Sequence, residues 1–160
     1  MGSKTRVLFV CLGNICRSPT AEAVFRDCVE RAGLEDSFDV DSAGTGDWHV
    51  GGSPDARMQD HARRRGFDLS ELRARQATIE DFHAFDWIVA MDRTNHRELE
   101  ALRPAGRGSR LELMSRFFPE HEAELDVPDP YYGGERGFER VLDLLEHGCA
   151  CLLEALRAEA

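Results

Sequence analysis

A cysteine, an arginine and a serine stand close together near the start of the chain. Five residues separate Cys11 from Arg17, and Ser18 follows directly. A loop of this length can turn its backbone N–H groups inward and form a nest that binds an anion. Arg17 can hold two oxygens of a phosphate group, and a thiol inside such a nest is favoured as the nucleophilic thiolate. The spacing therefore predicts a phosphate-binding loop around a reactive thiol, with Ser18 donating a hydrogen bond to the sulfur.

The same spacing also has a plain structural interpretation, a buried cysteine at a strand end followed by a surface arginine. The surrounding residues favour the interpretation as a phosphate-binding loop. An apolar run at 7–10 precedes Cys11, and the loop contains Gly13 and Asn14. Asparagine is among the few residues that tolerate a left-handed backbone. The N-terminus of a helix after the loop would add positive charge toward a bound anion.

Asp129 is a candidate proton donor far from this loop in the sequence. It precedes Pro130 in a segment rich in glycine and tyrosine, which indicates a rigid turn. Cleavage of a phosphate ester needs a proton for the leaving oxygen, and a carboxylic acid can supply it. From the residues alone, an ordinary Asx turn stays open as the alternative.

The elements that must position these residues alternate between strand and helix. Strands are predicted at 7–10, 38–43, 85–91 and 110–114, and helices at 19–32, 55–65, 93–102 and 135–158. Ser18 is predicted to cap the first helix. The order indicates an α/β fold: a small, open, doubly wound four-stranded parallel sheet with helices on both faces, a flavodoxin-like or Rossmann-like three-layer arrangement. Ligands of such sheets bind beyond the carboxyl ends of the strands, where Cys11 lies.

Length and composition narrow the possible functions. The 160 residues fit one domain spanning residues 1–160. A formal net charge of −10 argues against nucleic-acid binding, which depends on basic residues that neutralise phosphates. The five cysteines are odd in number. We expect no signal peptide and no membrane span, because the apolar runs are too short for either. We expect a reduced, cytoplasmic protein with no membrane partner, and a monomer or weak dimer.

The segment Val7 to Glu22, which includes Cys11, Arg17 and Ser18, resembles the signature of the low-molecular-weight protein tyrosine phosphatases. Further matches to this family follow in order along almost the whole chain, at 41–45, 48–51, 54–57, 74–76, 90–92, Asn95 and 129–132.

The resemblance implies a protein-tyrosine-phosphatase that hydrolyses phosphotyrosine through a phosphocysteine intermediate on Cys11. Arg17 and the loop N–H groups would bind the phosphate, Asp129 would act as general acid and then base, and Ser42 would support the loop. No metal or cofactor is expected, because Arg17 and the nest supply the positive charge. The expected substrate-binding residues are Leu12, Gly13, Asn14, Ile15, Cys16, Ser18, Trp48, Tyr131 and Tyr132.

The resemblance carries three further implications. Cys16 corresponds to a cysteine that can trap oxidised Cys11 as a disulfide, a redox role whose alternative is simple packing. The partner would be a phosphotyrosine-bearing protein, with a tyrosine kinase as one candidate.

The chain also departs from the family pattern, since Leu72 stands where many members have a loop-supporting histidine. His49 or His83 would replace that histidine only if the fold brings one of them close.

Three alternative functions can be compared with the sequence. Phosphoarginine phosphatases of this family usually carry threonine where this chain has Ile15, which favours tyrosine. Thioredoxin-coupled arsenate reductases of the same fold need two more cysteines in the middle of the chain, and none occurs between Cys28 and Cys149. A non-catalytic phosphotyrosine-binding module would be expected to lack Cys11 or Asp129.

Overall fold

Parallel strands alternate with helices along the chain. The computed structural model describes residues 4–106, 108–118, 126–130 and 134–159. The strands are β1 (Thr5–Cys11), β2 (Phe38–Gly44), β3 (Trp87–Ala90) and β4 (Arg110–Leu113). The helices are α1 (Arg17–Arg31), α2 (Ala56–Arg64), α3 (Asp81–Ala84), α4 (Arg93–Leu102) and α5 (Gly134–Glu159), with a 3-10 helix at Met114–Phe117. The sequence did not predict α3 or the 3-10 helix, each of which is a single turn.

The four strands form one sheet in the order β2-β1-β3-β4, and all neighbours run parallel. From β1 the chain first adds β2 on one side and then β3 on the other, so the strand order reverses beside β1. A crevice forms at such a reversal, beyond the carboxyl ends of the strands. The predicted fold class is confirmed, and Cys11 lies at this crevice as the last residue of β1.

Both faces of the sheet are covered. Val7 and Phe9 point into a core shared with α1, α2 and α5, whereas Leu8 and Val10 point into a second core shared with α3 and α4. All four side chains are fully buried. A strand buried on both faces reads as a continuous apolar run, which is why this segment shows no alternation in the sequence.

Helix α5 closes the larger core and passes close to the 3-10 helix. A Cβ atom on Gly148 would lie 2.6 Å from Met114 Cε and 2.9 Å from Phe118 Cε1. The glycine weakens the helix but leaves room for these two side chains. Within the described residues, no helix is both long and apolar enough to cross a membrane.

Candidate active site

Cys11 lies at the centre of the loop that joins β1 to α1. Its side chain is buried, with 3% of the residue exposed. The Sγ atom is 3.0 Å from Ser18 Oγ and receives a hydrogen bond from the Asn14 backbone N–H at 3.3 Å. A thiolate accepts hydrogen bonds and cannot donate them, so both contacts suit a charged sulfur.

Ser18 does not cap α1, contrary to the sequence prediction. The N-cap residue is Cys16, which makes no side-chain capping bond, and the helix begins at Arg17. The Ser18 hydroxyl turns instead toward Cys11 Sγ and accepts a hydrogen bond from Asn14 Nδ2 at 2.8 Å. The first N–H groups of a helix have no partner within it, so those at the start of α1 can contact an anion bound in the loop.

Asn14 holds the loop in its curved shape. Its φ angle is 57°, in the left-handed region, and its side chain is buried. The amide Nδ2 donates to Ser18 Oγ and, at 3.0 Å, to Ser42 Oγ. The amide Oδ1 accepts from the Arg75 backbone N–H at 3.0 Å. The left-handed position falls on Asn14 and not on Gly13, where a Cβ would instead meet His49 Cδ2 at 3.0 Å.

Arg17 is 5% exposed, and hydrogen bonds hold its guanidinium in place. Its Nη1 donates to Asp92 Oδ2 at 2.6 Å and to the Val127 carbonyl at 3.1 Å. Asp92 also caps α4 by accepting from the Asn95 N–H at 2.7 Å. Burial opposes the charge of Arg17, but nearby Cys11 and hydrogen-bonded Asp92 raise its pKa overall. Asp92 thus orients the guanidinium, a role that the sequence did not assign to it.

A cavity of about 240 Å³ opens over the loop. Leu12 and Trp48 are 39% and 71% exposed, so an apolar rim leads down to the buried Cys11 sulfur. Arg17 and Asp129 reach the same cavity from α1 and from the segment before α5. The cavity is lined by Cys11, Leu12, Gly13, Ile15, Cys16, Arg17, Trp48, His49 and Asp129.

The structure thus brings most of the predicted site residues together. Tyr131 and Tyr132 lie outside the described residues. Asn14, Ser18 and Ser42 sit behind the cavity and support its loop through hydrogen bonds. His49 lines the cavity although it was not predicted to bind substrate.

The structure shows where Leu72 and the two histidines that could replace the family histidine lie. Leu72 is partly buried and packs against the larger core. His49 is exposed at the cavity rim, and His83 is exposed on α3. The polar support of the loop comes instead from the Arg75 backbone and from Ser42.

Ser42 contacts a buried acid, Glu22, which was not predicted as a site residue. Its hydroxyl donates to Glu22 Oε1 at 2.8 Å, and Glu22 is 2% exposed on α1. Arg26, one turn further along α1, contacts Glu22 Oε2. The spacing of four residues between Glu22 and Arg26 is a helical ion-pair signal that could have been read from the sequence.

Comparisons with known proteins place the chain in a family. The model of the low molecular weight phosphotyrosine protein phosphatases matches residues 6–160. A Schizosaccharomyces pombe protein of that description is 48% identical over 139 residues, 86% of this chain and 88% of that protein. A crystal structure of a protein tyrosine phosphatase from Entamoeba histolytica, with Hepes in the active site, superposes with a TM-score of 0.91 at 40% identity. That match covers 98% of this chain and 99% of the other.

A crystal structure of an arginine phosphatase from Drosophila also superposes, with a TM-score of 0.87 at 34% identity over 96% of this chain and 99% of that one. The fold and the cavity define an α/β protein with a buried thiol in the loop that follows β1. With the family match over nearly its whole length, the chain belongs to the low molecular weight phosphotyrosine protein phosphatases and is an enzyme of that kind.

Proposed function

We propose that the chain hydrolyses phosphotyrosine in proteins through a phosphocysteine intermediate on Cys11. One observation carries this proposal: the Cys11 sulfur has hydrogen-bonding partners at Ser18 Oγ and the Asn14 N–H and shares its cavity with Arg17 and Asp129. These are a nucleophile, its stabilising donors, a phosphate-binding cation and an acid.

In the first step the Cys11 thiolate attacks phosphorus in line with the phenolic oxygen. The S–P bond forms as the P–O bond breaks, and Asp129 gives its proton to the departing oxygen. Arg17 and the loop N–H groups stabilise the charge on the remaining phosphate oxygens. Asp92 accepts a hydrogen bond from Nη1 of Arg17. This bond fixes the plane in which the guanidinium binds the phosphate.

In the second step water attacks the phosphocysteine. Asp129, now ionised, takes a proton from the water, the S–P bond breaks, and inorganic phosphate forms. Ser18 donates a hydrogen bond to the departing Cys11 sulfur and so makes the thiolate a better leaving group.

Specificity for tyrosine rests on the depth and the rim of the cavity. Cys11 is buried, so only a long side chain brings its phosphate to the sulfur, and a phosphoserine falls short. Leu12 and Trp48 offer apolar surface to a phenyl ring, and Ile15 also lines the cavity. Tyr131 and Tyr132 remain proposed members of this ring-binding set.

The experiment compares hydrolysis of phosphotyrosine, phosphoserine and phosphoarginine by the parent protein and by Cys11→Ser, with a chelator present. We expect chelator-resistant hydrolysis of phosphotyrosine that disappears in the variant. Faster hydrolysis of phosphoarginine would favour the arginine phosphatase alternative, given the structural neighbour of that name. Activity that survives in Cys11→Ser would contradict the assignment of the nucleophile.

Cys16 is proposed as the resolving thiol of a reversible oxidation. Peroxide would convert the Cys11 thiolate to a sulfenic acid, and attack by Cys16 would form a disulfide with release of water. Burial raises the pKa of the Cys16 thiol, with Asp55 adding to the effect. Cys16 therefore gives up its proton as it attacks the sulfenic acid, and that proton leaves in the released water. If Cys16→Ser regained activity after peroxide and thiol as fully as the parent, this role would be excluded.

The wider setting follows from the same enzyme class. We propose a phosphotyrosine-bearing protein as substrate, with a tyrosine kinase as one candidate, and a single domain over residues 1–160 that acts as a monomer or weak dimer. All five cysteines are free, which supports a reducing cytoplasm as the location.

A further inference from the structure

A buried ion pair on α1 has no part in the proposed chemical steps. Glu22 Oε1 accepts a hydrogen bond from Ser42 Oγ at 2.8 Å. Glu22 Oε2 accepts from Arg26 Nη2 at 2.6 Å and from Arg26 Nε at 3.0 Å. The Glu22 carboxylate is buried, whereas 54% of the Arg26 side chain is exposed. Arg26 Nη2 also donates to the Val40 carbonyl at 2.5 Å, which holds the guanidinium in place.

From Glu22 a continuous series of hydrogen bonds runs to the nucleophile. Because Ser42 donates its only hydroxyl hydrogen to Glu22, its oxygen is left to accept from Asn14 Nδ2 at 3.0 Å. The second hydrogen of Nδ2 goes to Ser18 Oγ, and the Arg75 N–H on Oδ1 fixes which way the amide faces. Ser18 then has one hydroxyl hydrogen left to donate.

Two acceptors lie within reach of that last hydrogen. Cys11 Sγ is 3.0 Å from Ser18 Oγ, and the Ala43 carbonyl is 3.3 Å away. A thiolate is the stronger acceptor of the two, since it carries a full charge. The series of donors therefore ends on the Cys11 sulfur when that sulfur is ionised.

The direction of the Ser42 hydroxyl, the first link of the series, depends on the charge of Glu22. Both of its carboxylate oxygens already face donors, Ser42 on one side and Arg26 on the other. A proton on Oε1 would meet the Ser42 hydroxyl hydrogen, and a proton on Oε2 would meet the Arg26 guanidinium. Protonated Glu22 would therefore displace one of its two partners and release Ser42 from its donor orientation.

The surroundings of Glu22 have opposing effects on its pKa. Burial raises the pKa of Glu22, and nearby Asp41 adds to this, while the hydrogen bond from Ser42 and the charge of Arg26 act against it. Asp41 is itself paired with Arg75 Nε at 3.1 Å. Leu72, which lines the same surface pocket as Arg26, carries no charge. Arg26 is thus the cation that contacts the carboxylate directly.

We propose that Arg26 and Glu22 form a positioning pair. Arg26 keeps Glu22 ionised, and ionised Glu22 keeps Ser42 Oγ available to accept from Asn14 Nδ2. Asn14 is thereby held in place to donate to Ser18, whose hydroxyl contacts the Cys11 sulfur. The inference rests on the proposed function, in which Cys11 is the nucleophile. Neither member of the pair touches the substrate, and both act through the loop. A buried carboxylate costs stability, which is expected where a charge is retained for function.

The test measures how fast iodoacetamide alkylates Cys11 as a function of pH, followed by peptide mapping so that the other cysteines are excluded. In Arg26→Met we expect the profile to move to higher pH, with the rate at about pH 6 lowered roughly three- to tenfold. Arg26→Lys should recover most of the parent rate, because a lysine four residues after Glu22 can still pair with it. The kcat/KM profile for phosphotyrosine should shift in the same direction.

Arg31→Met is the matched control. Arg31 lies on the same helix and pairs with Asp27 four residues earlier at 2.8 Å, with 75% of its side chain exposed. Its removal deletes the same charge from α1 without touching Ser42 or Glu22. We expect the alkylation profile of Arg31→Met to overlay that of the parent.

A second background distinguishes the pair from a general effect of charge. In Glu22→Gln the residue at 22 cannot ionise, so adding Arg26→Met should leave the alkylation profile unchanged. An equal shift in both backgrounds would overturn the proposal, as would an unshifted profile in Arg26→Met. A loss of thermal stability in Arg26→Met without a shift in the profile would also contradict it, because the pair would then be merely structural. Because alkylation needs no turnover, these results stay separate from any failure of the proposed phosphatase mechanism.

Discussion

Cys11 combines burial with donors directed at its sulfur. Ser18 Oγ and the Asn14 N–H lie 3.0 and 3.3 Å from Sγ, and Arg17 is anchored by Asp92 in the same cavity. Each of these groups interacts more strongly with a thiolate or a phosphate dianion than with a neutral group. The chemistry of the site is therefore set by the arrangement of fixed donors around two residues, Cys11 and Arg17.

Asp129 offers the sharpest single-residue test of the acid–base role. Asp129→Asn keeps the size of the side chain but removes the proton, so we expect kcat to fall about 10²–10⁴-fold while phosphate binding is retained. Steady-state kinetics with phosphotyrosine and inhibition by inorganic phosphate measure the two effects separately.

Asp126→Asn is the control for this variant. Asp126 lies three residues earlier and accepts from the Arg93 N–H at 3.1 Å on the protein surface. Its kcat should stay close to that of the parent. Similar losses in both variants would indicate that the segment, and not the proton of Asp129, matters.

Glu22 gives a residue-scale prediction for stability. Its pKa in the folded state is raised above the ordinary value of 4.5, mainly by burial. The folded protein then holds the proton more tightly than the unfolded chain, so the contribution of this group to stability falls as pH rises above about 4.5. The free energy of unfolding of the parent, relative to Glu22→Gln, should therefore decrease over that range in urea titrations. A relative stability that increases with pH would contradict the raised pKa.

At the scale of elements, the site depends on the close approach of β2 to the loop that joins β1 to α1. A Cβ atom on Gly44, the last residue of β2, would lie 2.7 Å from the Leu12 carbonyl oxygen. Gly44 also accepts and donates backbone bonds that hold the segment around Gln76 beside the strand. This glycine is required because two stretches of backbone meet without room for a side chain.

Gly44→Ala should therefore push the phosphate loop out of position. We expect kcat/KM to fall at least about tenfold and stability to fall by roughly 1–3 kcal/mol, as for other overpacked sites. Gly108→Ala is the comparison, since its Cβ would meet the Phe82 carbonyl at 3.3 Å far from the cavity. That variant should keep its kcat/KM, and an unaffected Gly44→Ala would show that the loop adapts freely.

The elements also explain what the sequence could and could not reveal. The loop around Cys11 was predictable because strand, turn and helix are contiguous and each carries a local signal. Ser18 was wrongly assigned as a cap, because its local signal is the same whether the hydroxyl serves a helix or a neighbouring thiol. The anchoring of Arg17 by Asp92 spans 75 residues, and the bond from the Arg75 backbone to Asn14 spans 61. Such contacts depend on strand order, and no local pattern indicates them.

At the scale of the whole molecule, charge distribution distinguishes the site from the rest of the surface. The chain carries a formal net charge of −10, yet Arg17 lines the cavity beside the Cys11 sulfur, to which the Asn14 backbone N–H donates. Long-range repulsion should slow the approach of acidic substrates, while the local donors bind the phosphate once it arrives.

This contrast predicts a dependence on substrate charge and on salt. Phosphotyrosine peptides with basic flanking residues should show a kcat/KM up to about tenfold above that of acidic ones at low ionic strength. The difference should narrow as salt is added, because screening acts over about 10 Å at 0.1 M. Paired peptides of equal length provide the measurement, and a preference that does not change with salt would point to direct contacts instead.

The proposed phosphocysteine on Cys11 can be tested directly. The parent protein is mixed with a phosphotyrosine peptide, quenched rapidly in acid and mapped by mass spectrometry. The mechanism predicts a phosphate group on the peptide that contains Cys11, absent from Cys11→Ser and from protein mixed with unphosphorylated peptide. Phosphate bound elsewhere, or complete turnover of substrate with no phosphorylated cysteine at any quench time, would contradict it.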